Sequence, residues 1–320
     1  FNRSMLSQDM LSLKRIYEDQ GYAYANVSPL TNIDEKSRII HVNYQFEKGE
    51  KVYFERINIK GNSKTRDKVI RRELKIIEGE LFNETKKELS KNRVLALGYF
   101  ENVEFKTRQG SRPDTMIVDI EVTERPTGTF QVGFGLSSIE SFIFNSQISQ
   151  HNLFGRGQTI VASAQVSSLR KIYNLRFVEP YFLDSHWTLA SDLYNTERFL
   201  LNYSRLSSGG DITWGYPLPF YDDLQFYGTY TLEFIDIEQR INTPFPILPD
   251  FTNYDKYTTS SFRLSSVWDT RDNRLFPSKG NYISFSSEFA PNILGSDRPF
   301  NRYSFVVRHY LPIIWDLVFK

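Results

Sequence analysis

Residue types suited to catalysis or metal binding are scarce in this chain, whose histidines are His41, His151, His186 and His309. Neither His-x-x-x-His nor Glu-x-x-His spacing occurs, and this argues against a metal site. A hydrolase would need a serine or an aspartate paired in space with one imidazole. The best candidate is His309 with the nearby Ser304 and Tyr310, and it defines the enzyme alternative.

Two further kinds of reactive site are excluded by residue type. Cysteine is absent, which excludes disulfides, thiol catalysis and cysteine-ligated metals. The glycines of Gly133-Phe134-Gly135 precede no predicted helix, so they do not form a phosphate-binding loop. We therefore predict no catalytic residue, no cofactor and no metal.

Charge and hydropathy limit the function further. The 320 residues carry 39 Lys and Arg against 38 Asp and Glu, a net charge of +1. A dedicated nucleic-acid-binding protein would carry an excess of basic residues, so we predict no nucleic-acid partner. No apolar run reaches the 18 residues typical of a transmembrane helix.

The chain divides into two parts of different composition. Of the first 125 residues, 43 are charged and 12 are aromatic, whereas the remaining 195 contain 34 charged and 37 aromatic residues. All four tryptophans fall in the second part. Pro126 and Gly128 interrupt the chain where the composition changes, and we place a domain boundary between residues 125 and 126.

The first part contains an internal repeat. Gly21-Tyr22 matches Gly98-Tyr99 at an offset of 77 residues, and Asn26-Val27 matches Asn102-Val103 at an offset of 76. Self-similarity at this spacing indicates tandem modules. Residues 50–125 form a complete module, and residues 1–49 form the C-terminal part of another, so we expect the chain to begin inside a longer array.

Each complete module is predicted to fold as β-α-α-β-β. Asn83 is a predicted helix N-cap and Gly98 a predicted helix stop, because these residue types favour those positions. Alternation of apolar and polar residues predicts the strands. The expected helices cover residues 5–19, 64–74 and 84–97, and the expected strands cover 24–30, 40–46, 51–60, 100–108 and 115–123.

The second part has the pattern of a transmembrane β-barrel. Barrel strands are segments of about ten residues that alternate apolar and polar side chains, with turn residues between them. The polar positions here include Arg and Glu, which suits a wet lumen better than a dry core. The alternation is clearest over residues 130–136, 142–148, 160–166, 224–234, 262–268 and 283–289.

The connections fall into two classes that alternate along the chain. One class is rich in Pro, Gly and aromatic residues, over 152–157, 179–184, 216–222, 272–280 and 310–316. The other is polar and variable in length, around 137–141, 168–171, 195–204, 238–256 and 290–301. An up-and-down barrel has such tight turns and longer loops. A soluble β-rich domain, such as a sandwich or a lipocalin, is the alternative.

Counting these segments gives ten antiparallel strands and an eleventh that starts near Trp315. A membrane barrel leaves no strand edge exposed to lipid. We therefore expect the barrel to be truncated at Lys320, after about ten to eleven strands.

Several strings resemble, in their order, the outer-membrane β-barrel assembly family, which carries polypeptide-transport-associated (POTRA) repeats. Gly61-Asn62, Arg71-Arg72-Glu73, Glu78-Gly79 and Leu97-Gly98-Tyr99-Phe100 resemble its last POTRA repeat, and residues 122–128 resemble the junction to the barrel. The turns at 152–157, 179–182 and 269–280 resemble the tight turns of that barrel. The family's Val-Arg-Gly-Phe/Tyr segment is absent, and the resemblance places it after Lys320.

The resemblance implies α+β POTRA repeats followed by an antiparallel transmembrane β-barrel, in the bacterial outer membrane with the repeats in the periplasm. It implies the central subunit of an assembly machinery that folds and inserts barrel proteins. The implied partners are unfolded barrel substrates, accessory lipoproteins, periplasmic chaperones and outer-membrane lipid. The alternatives are a two-partner-type secretion pore with one dedicated substrate, the enzyme described above, and a passive porin.

The resemblance also implies a lateral gate, in which the first barrel strand pairs weakly with the last. An opened strand could pair with an incoming strand by β-augmentation. Gly133 and Gly135 would weaken this strand, because glycine packs nothing and costs order. The alternative is that they make room for bulky neighbours in the lumen. The gate strand comprises Thr129, Phe130, Gln131, Val132, Gly133, Phe134, Gly135 and Leu136.

A second implied site concerns accessory lipoproteins, which dock on the last POTRA repeat of the family. Glu78, between the two predicted helices of the complete module, is the position that the resemblance assigns to this contact. The alternative is a solvated loop carboxylate.

Overall fold

The computed structural model describes residues 2–34, 39–200, 203–218, 223–239, 255–273, 276–313 and 317–320. The chain forms two compact units, residues 1–127 with 154–156 and residues 128–153 with 157–320. None of the described helices combines the length and the hydropathy needed to span a bilayer. Trp315, near which we predict the start of the last strand, lies outside the described residues.

The first unit contains three helices and five strands, as the repeat predicts. The partial module has α1 (Arg3–Glu18), β1 (Asn26–Asp34) and β2 (Ile39–Glu47), and β1 and β2 pair antiparallel. The complete module has β3 (Tyr53–Lys60), α2 (Asp67–Arg71), α3 (Glu84–Ala96), β4 (Phe100–Gln109) and β5 (Thr115–Glu124).

The core of the complete module lies between one sheet and its two helices. The sheet has the order β3-β5-β4, in which β5 pairs parallel to β3 and antiparallel to β4. The central strand β5 contributes the fully buried Val118 and Ile120. They pack with Phe54 of β3, Ile70 of α2 and Val94 of α3. Burial of these side chains from water is the main force that holds the module together.

Two sequence-based expectations for the helices have different outcomes. The predicted N-cap is confirmed, because the Asn83 side chain accepts a hydrogen bond from the Lys86 amide at 2.7 Å. The helix predicted over residues 64–74 is wrong in extent, since α2 covers only Asp67–Arg71. The Glu124 carboxylate accepts the amides of Lys64 and Thr65 at 2.9 and 2.6 Å and holds that segment as a loop.

The second unit is one antiparallel sheet of eleven strands in sequence order. The predicted α+β repeats followed by an antiparallel sheet of about eleven strands are therefore confirmed. The strands are β6 (Gly128–Ser137), β7 (Ser141–Leu153), β8 (Gln158–Val166), β9 (Arg170–Glu179), β10 (Thr188–Phe199), β11 (Tyr203–Pro217), β12 (Leu224–Gln239), β13 (Asp255–Asp269), β14 (Gly280–Ala290), β15 (Phe300–Pro312) and β16 (Val318–Phe319).

The register of the sheet separates an apolar face from a polar face. Residues directly opposite each other in a ladder lie on the same face, so Phe134, Phe144 and Val166 form one apolar row. On β6–β15 this face carries charged side chains only near the strand ends, at Lys171, Glu179, Glu197, Asp236, Glu238 and Lys256. An uncharged band between charged margins is the pattern of a lipid-facing barrel wall.

One predicted loop is largely strand. Residues 195–204 are polar, but β10 continues to Phe199 and β11 begins at Tyr203. The polar side chains are accommodated by cross-strand bonds, since Asn195 donates to Ser208 at 2.7 Å and Lys171 lies 2.9 Å from Glu197. These bonds satisfy the polar groups, so an apolar sequence is not needed to extend the sheet here.

Candidate functional site

The predicted gate strand, β6, is the first strand of the large sheet. β6 pairs with β7 over ten consecutive residues, and no other described strand pairs with it. Alternate backbone N–H and C=O groups of β6 therefore point away from the sheet, as on any edge strand. Its apolar side chains are strongly exposed, with Phe130 and Phe134 at 70% and Leu136 at 89%.

The two glycines of β6 do not make room for described neighbours. A Cβ at Gly133 would lie 3.9 Å from Asn145, and one at Gly135 would lie 4.0 Å from Ile143, both ordinary contacts. Neither residue has a positive φ. Packing of the described chain therefore gives no reason for glycine at either position.

Glu78 takes part in local bonding in the complete module. Its carboxylate accepts the amide of Ile57 at 2.9 Å and lies 3.7 Å from the Arg71 guanidinium. Arg71 also bonds Asp67 at 2.9 Å, and this hydrogen bond raises the pKa of the guanidinium above its ordinary value. Nearly half of the Glu78 side chain remains exposed, and the adjacent Ile77 is 57% exposed.

The polar face carries a charge cluster that the sequence analysis did not single out. The buried Glu288 carboxylate lies 2.8 Å from Arg263 and 3.4 Å from Arg302, and it accepts the Ser261 hydroxyl at 2.9 Å. The cluster ties β13, β14 and β15 across the face opposite the apolar band. Alternation could have shown that these residues share a face, but their contact depends on the register.

The residues of the enzyme alternative do not come together. Ser304 and His309 lie on one strand, five residues apart, so they point to opposite faces and their Cα atoms are about 17 Å apart. The His309 ring instead bonds the Asn281 side chain across the β14–β15 ladder. The structure therefore does not form the Ser–His pair that this alternative requires.

Known families match both units. Residues 152–320 match the sequence profile of the Omp85 superfamily domain. The chain belongs to the Omp85 superfamily. Residues 1–49 and 52–125 match the POTRA profile, described as a surface antigen variable number repeat. The resemblance stated from the sequence is thereby confirmed, together with an outer-membrane location and periplasmic repeats.

The similar proteins include outer membrane protein assembly factors named BamA. That of Nitratidesulfovibrio vulgaris is 27% identical over 94% of this chain, and that of Neorickettsia risticii is 30% identical over 95% of it. The chain spans 37% and 41% of the lengths of these relatives. The crystal structure of Haemophilus ducreyi BamA lacking POTRA domains 1–3 matches 98% of this chain and 62% of its own, with a TM-score of 0.76 and 22% identity. This structural match supports the fold.

Proposed function

We propose that this Omp85 chain belongs to an assembly factor that folds and inserts β-barrel proteins into the outer membrane. The relatives named above carry this role in their names. In this proposal the POTRA segments, residues 1–49 and 50–125, provide periplasmic docking. The barrel segment, residues 126–320, inserts the substrate. The proposed mechanism is non-catalytic and needs no cofactor.

The observation that carries the proposal is that β6, the first strand of the sheet, contains two glycines that the described packing does not require. An incoming strand that pairs with β6 would exchange hydrogen bonds to its previous partner for hydrogen bonds to the edge. The apolar face that includes the exposed Phe130, Phe134 and Leu136 would continue onto the added strand. Insertion could then proceed one strand at a time without nucleotide hydrolysis.

Gly133 and Gly135 support weak pairing of this edge. The described packing does not require glycine at either position, whereas glycine lowers strand stability. A Gly133→Val substitution should therefore fold normally and reduce barrel assembly, because it favours a more persistent edge pairing. Gln147→Val, on the same polar face of the adjacent interior strand β7, is the matched control and should leave assembly unchanged.

Cross-linking tests the edge directly, because residues 1–320 contain no cysteine that would compete with an introduced one. Gln131 of β6 and Gln147 of β7 are cross-strand partners on the same face. In the full-length protein, Gln131→Cys should form disulfides with single cysteines in a strand of an assembling barrel protein, and Gln147→Cys should not. Equal cross-linking from both positions would contradict the gate.

Depletion of the full-length protein in its native host tests the general function. A broad fall in the folded, heat-modifiable fraction of unrelated outer-membrane barrels would support an assembly factor. Loss of a single secreted protein with a normal barrel population would support a dedicated secretion pore and contradict our proposal.

Glu78 is the proposed contact for an accessory lipoprotein. Its half-exposed carboxylate and the neighbouring exposed Ile77 support this role. Glu78→Gln keeps an acceptor for the Ile57 amide but removes the charge, so it should weaken lipoprotein co-purification while preserving hydrogen-exchange protection of β3. Glu80→Gln, which removes an exposed carboxylate near Lys86, is the control. Unchanged co-purification of the Glu78 variant would contradict the contact.

A further inference from the structure

The apolar face of the sheet is interrupted by a groove across β9–β12. Its residues form a cross-strand row in which Tyr173 and Phe234 stand at the two ends and Asn195 and Ser208 lie between them. With strands about 4.8 Å apart, the two aromatic side chains arise from backbones roughly 14 Å apart. The small side chains of β10 and β11 form the floor, and the groove has a volume of about 650 Å³.

The next row toward the tight turns closes one end of the groove. Leu175 and Leu193 are opposite each other, and Leu193 is opposite Gly210. A Cβ at Gly210 would lie 2.8 Å from Cδ2 of Leu193 and 2.8 Å from the Asp192 carbonyl oxygen. Glycine here lets the leucine lie against the β11 backbone. The groove is thus bordered by leucines on the turn side and aromatic rings at its flanks.

The floor is compatible with hydrocarbon although it contains polar residues. The Asn195 side-chain amide donates to the Ser208 hydroxyl at 2.7 Å. Bonding these two groups to each other lowers the cost of removing them from water. The exposed lining is otherwise predominantly apolar side-chain surface, contributed by Tyr173, Leu175, Leu193 and Phe234.

The groove lies just inside the charged margin of the face. Lys171 and Glu197 pair at 2.9 Å in the row immediately above Tyr173 and Asn195, about 7 Å along the strands. The charged Glu179 marks the other end of β9, about 27 Å from Lys171. The groove therefore begins where headgroups give way to acyl chains, in the leaflet at the loop end of the sheet.

We propose that this groove is a binding site for one acyl chain of a lipid in the leaflet at the loop end of the sheet, whose headgroup lies at the level of Lys171 and Glu197. Its position on the lipid-facing side of an outer-membrane protein identifies the occupant, because no water is available to fill a depression in hydrocarbon. In a bilayer, close packing rather than the hydrophobic effect drives association. A chain that lies on the floor beside Tyr173 or Phe234 contacts the floor and one aromatic flank, whereas a chain on the adjacent wall contacts one surface.

Photolabelling of the full-length protein tests the site. The protein is reconstituted in vesicles of phosphatidylethanolamine and phosphatidylglycerol, with a trace of phosphatidylethanolamine that carries a diazirine in the upper part of one acyl chain. Mass spectrometry then maps the labelled residues. We expect labelling of β9–β12 to exceed that of the apolar face of β13–β15 by roughly fivefold.

A variant that fills the groove provides the second part of the photolabelling experiment. Ser208→Phe should reduce labelling of β9–β12 to the level of β13–β15. Ser266→Phe, on the same face between Phe226 and Phe285, is the matched control and should leave labelling unchanged. Uniform labelling of the natural protein, or labelling unaffected by Ser208→Phe, would overturn the proposal. If Ser208→Phe does not fold, as judged by heat-modifiability, the labelling map of the natural protein decides the question alone.

Discussion

The POTRA module and the eleven-stranded sheet use the same alternating pattern and bury opposite kinds of residue. In the module, Phe54, Val118 and Ile120 are removed from water by α2 and α3. In the large sheet, Phe130, Phe134 and Leu136 are exposed, whereas Ser261 and Glu288 are buried. The difference shows that alternation defines two faces of a sheet, and the surrounding medium decides which face is covered by protein.

The largest expected effect is in the module core. Phe54 is almost completely buried, so Phe54→Ala should destabilise the module by about 3–5 kcal/mol. Tyr53→Ala, at the neighbouring half-exposed position, should cost less than about 1 kcal/mol. Hydrogen exchange of residues 50–125 in the full-length protein measures both. Similar losses for the two variants would show that the module does not depend on this core.

The lipid-facing side of the sheet should respond to charge. Leu264→Arg places a cation on the apolar face of β13 and should destabilise the sheet by about 2–4 kcal/mol. Ser265→Arg, one residue along and on the polar face, should cost less than about 1 kcal/mol. The midpoint of urea unfolding in lipid vesicles reports the difference. Equal midpoints would argue against a lipid-facing band on β13.

The Glu288 cluster should contribute less to the stability of the sheet than the apolar band does. Glu288→Gln leaves Arg263 and Arg302 without a charged partner on β14 and should cost about 1–2 kcal/mol, because both arginines are partly exposed to solvent. Glu197→Gln, which breaks the more exposed pair with Lys171, should cost less than about 0.5 kcal/mol. Urea midpoints in vesicles again provide the comparison. A larger loss of stability for Glu197→Gln than for Glu288→Gln would contradict this order.

The smallest expected effect is the pH dependence of one loop in the complete module. Burial raises the pKa of Glu124, but hydrogen bonds from Thr65, Ser63 and Lys64 outweigh it and hold the pKa below its ordinary value. The carboxylate therefore stabilises the loop at residues 63–65 above the unfolded pKa, about 4.3, and this contribution is lost as pH falls through the lower folded pKa. Hydrogen exchange of this loop, corrected for intrinsic rates, should show no such loss from pH 7 to 5 and increased opening below about pH 4.

A matched variant isolates this carboxylate. Glu124→Gln should open the loop at neutral pH and remove its acid sensitivity. Acid sensitivity that persists in the variant would assign the effect to another group.

The sequence predicted the tight turns well where the interactions that form them join residues close in the chain. Asn152, next to the last residue of β7, has a φ of 55°, a conformation that asparagine tolerates better than most residues. Its side chain accepts the Gly157 amide at 2.8 Å and closes the turn. By contrast, the predicted helix over 64–74 begins late, at Asp67, because Glu124, some sixty residues away, bonds the amides of Lys64 and Thr65.

The extent of the candidate gate strand could be predicted from local alternation. The residues that surround it could not. Alternation marks Phe130, Val132, Phe134 and Leu136 as one face of a strand. Whether Gly133 and Gly135 meet bulky neighbours depends on what lies opposite them on β7, which only the register decides.

The sequence by itself determined the two-part organisation, the repeat, the helix cap and the two faces of each strand, because these follow from composition and short periodicities. Only the tertiary structure decided that Glu288 meets Arg263 and Arg302, and that Asn195 and Ser208 form the floor of a groove. The physical reason is register. A slip of one residue between neighbouring strands would move every side chain to the other face, so contacts across a sheet cannot be read from one strand alone.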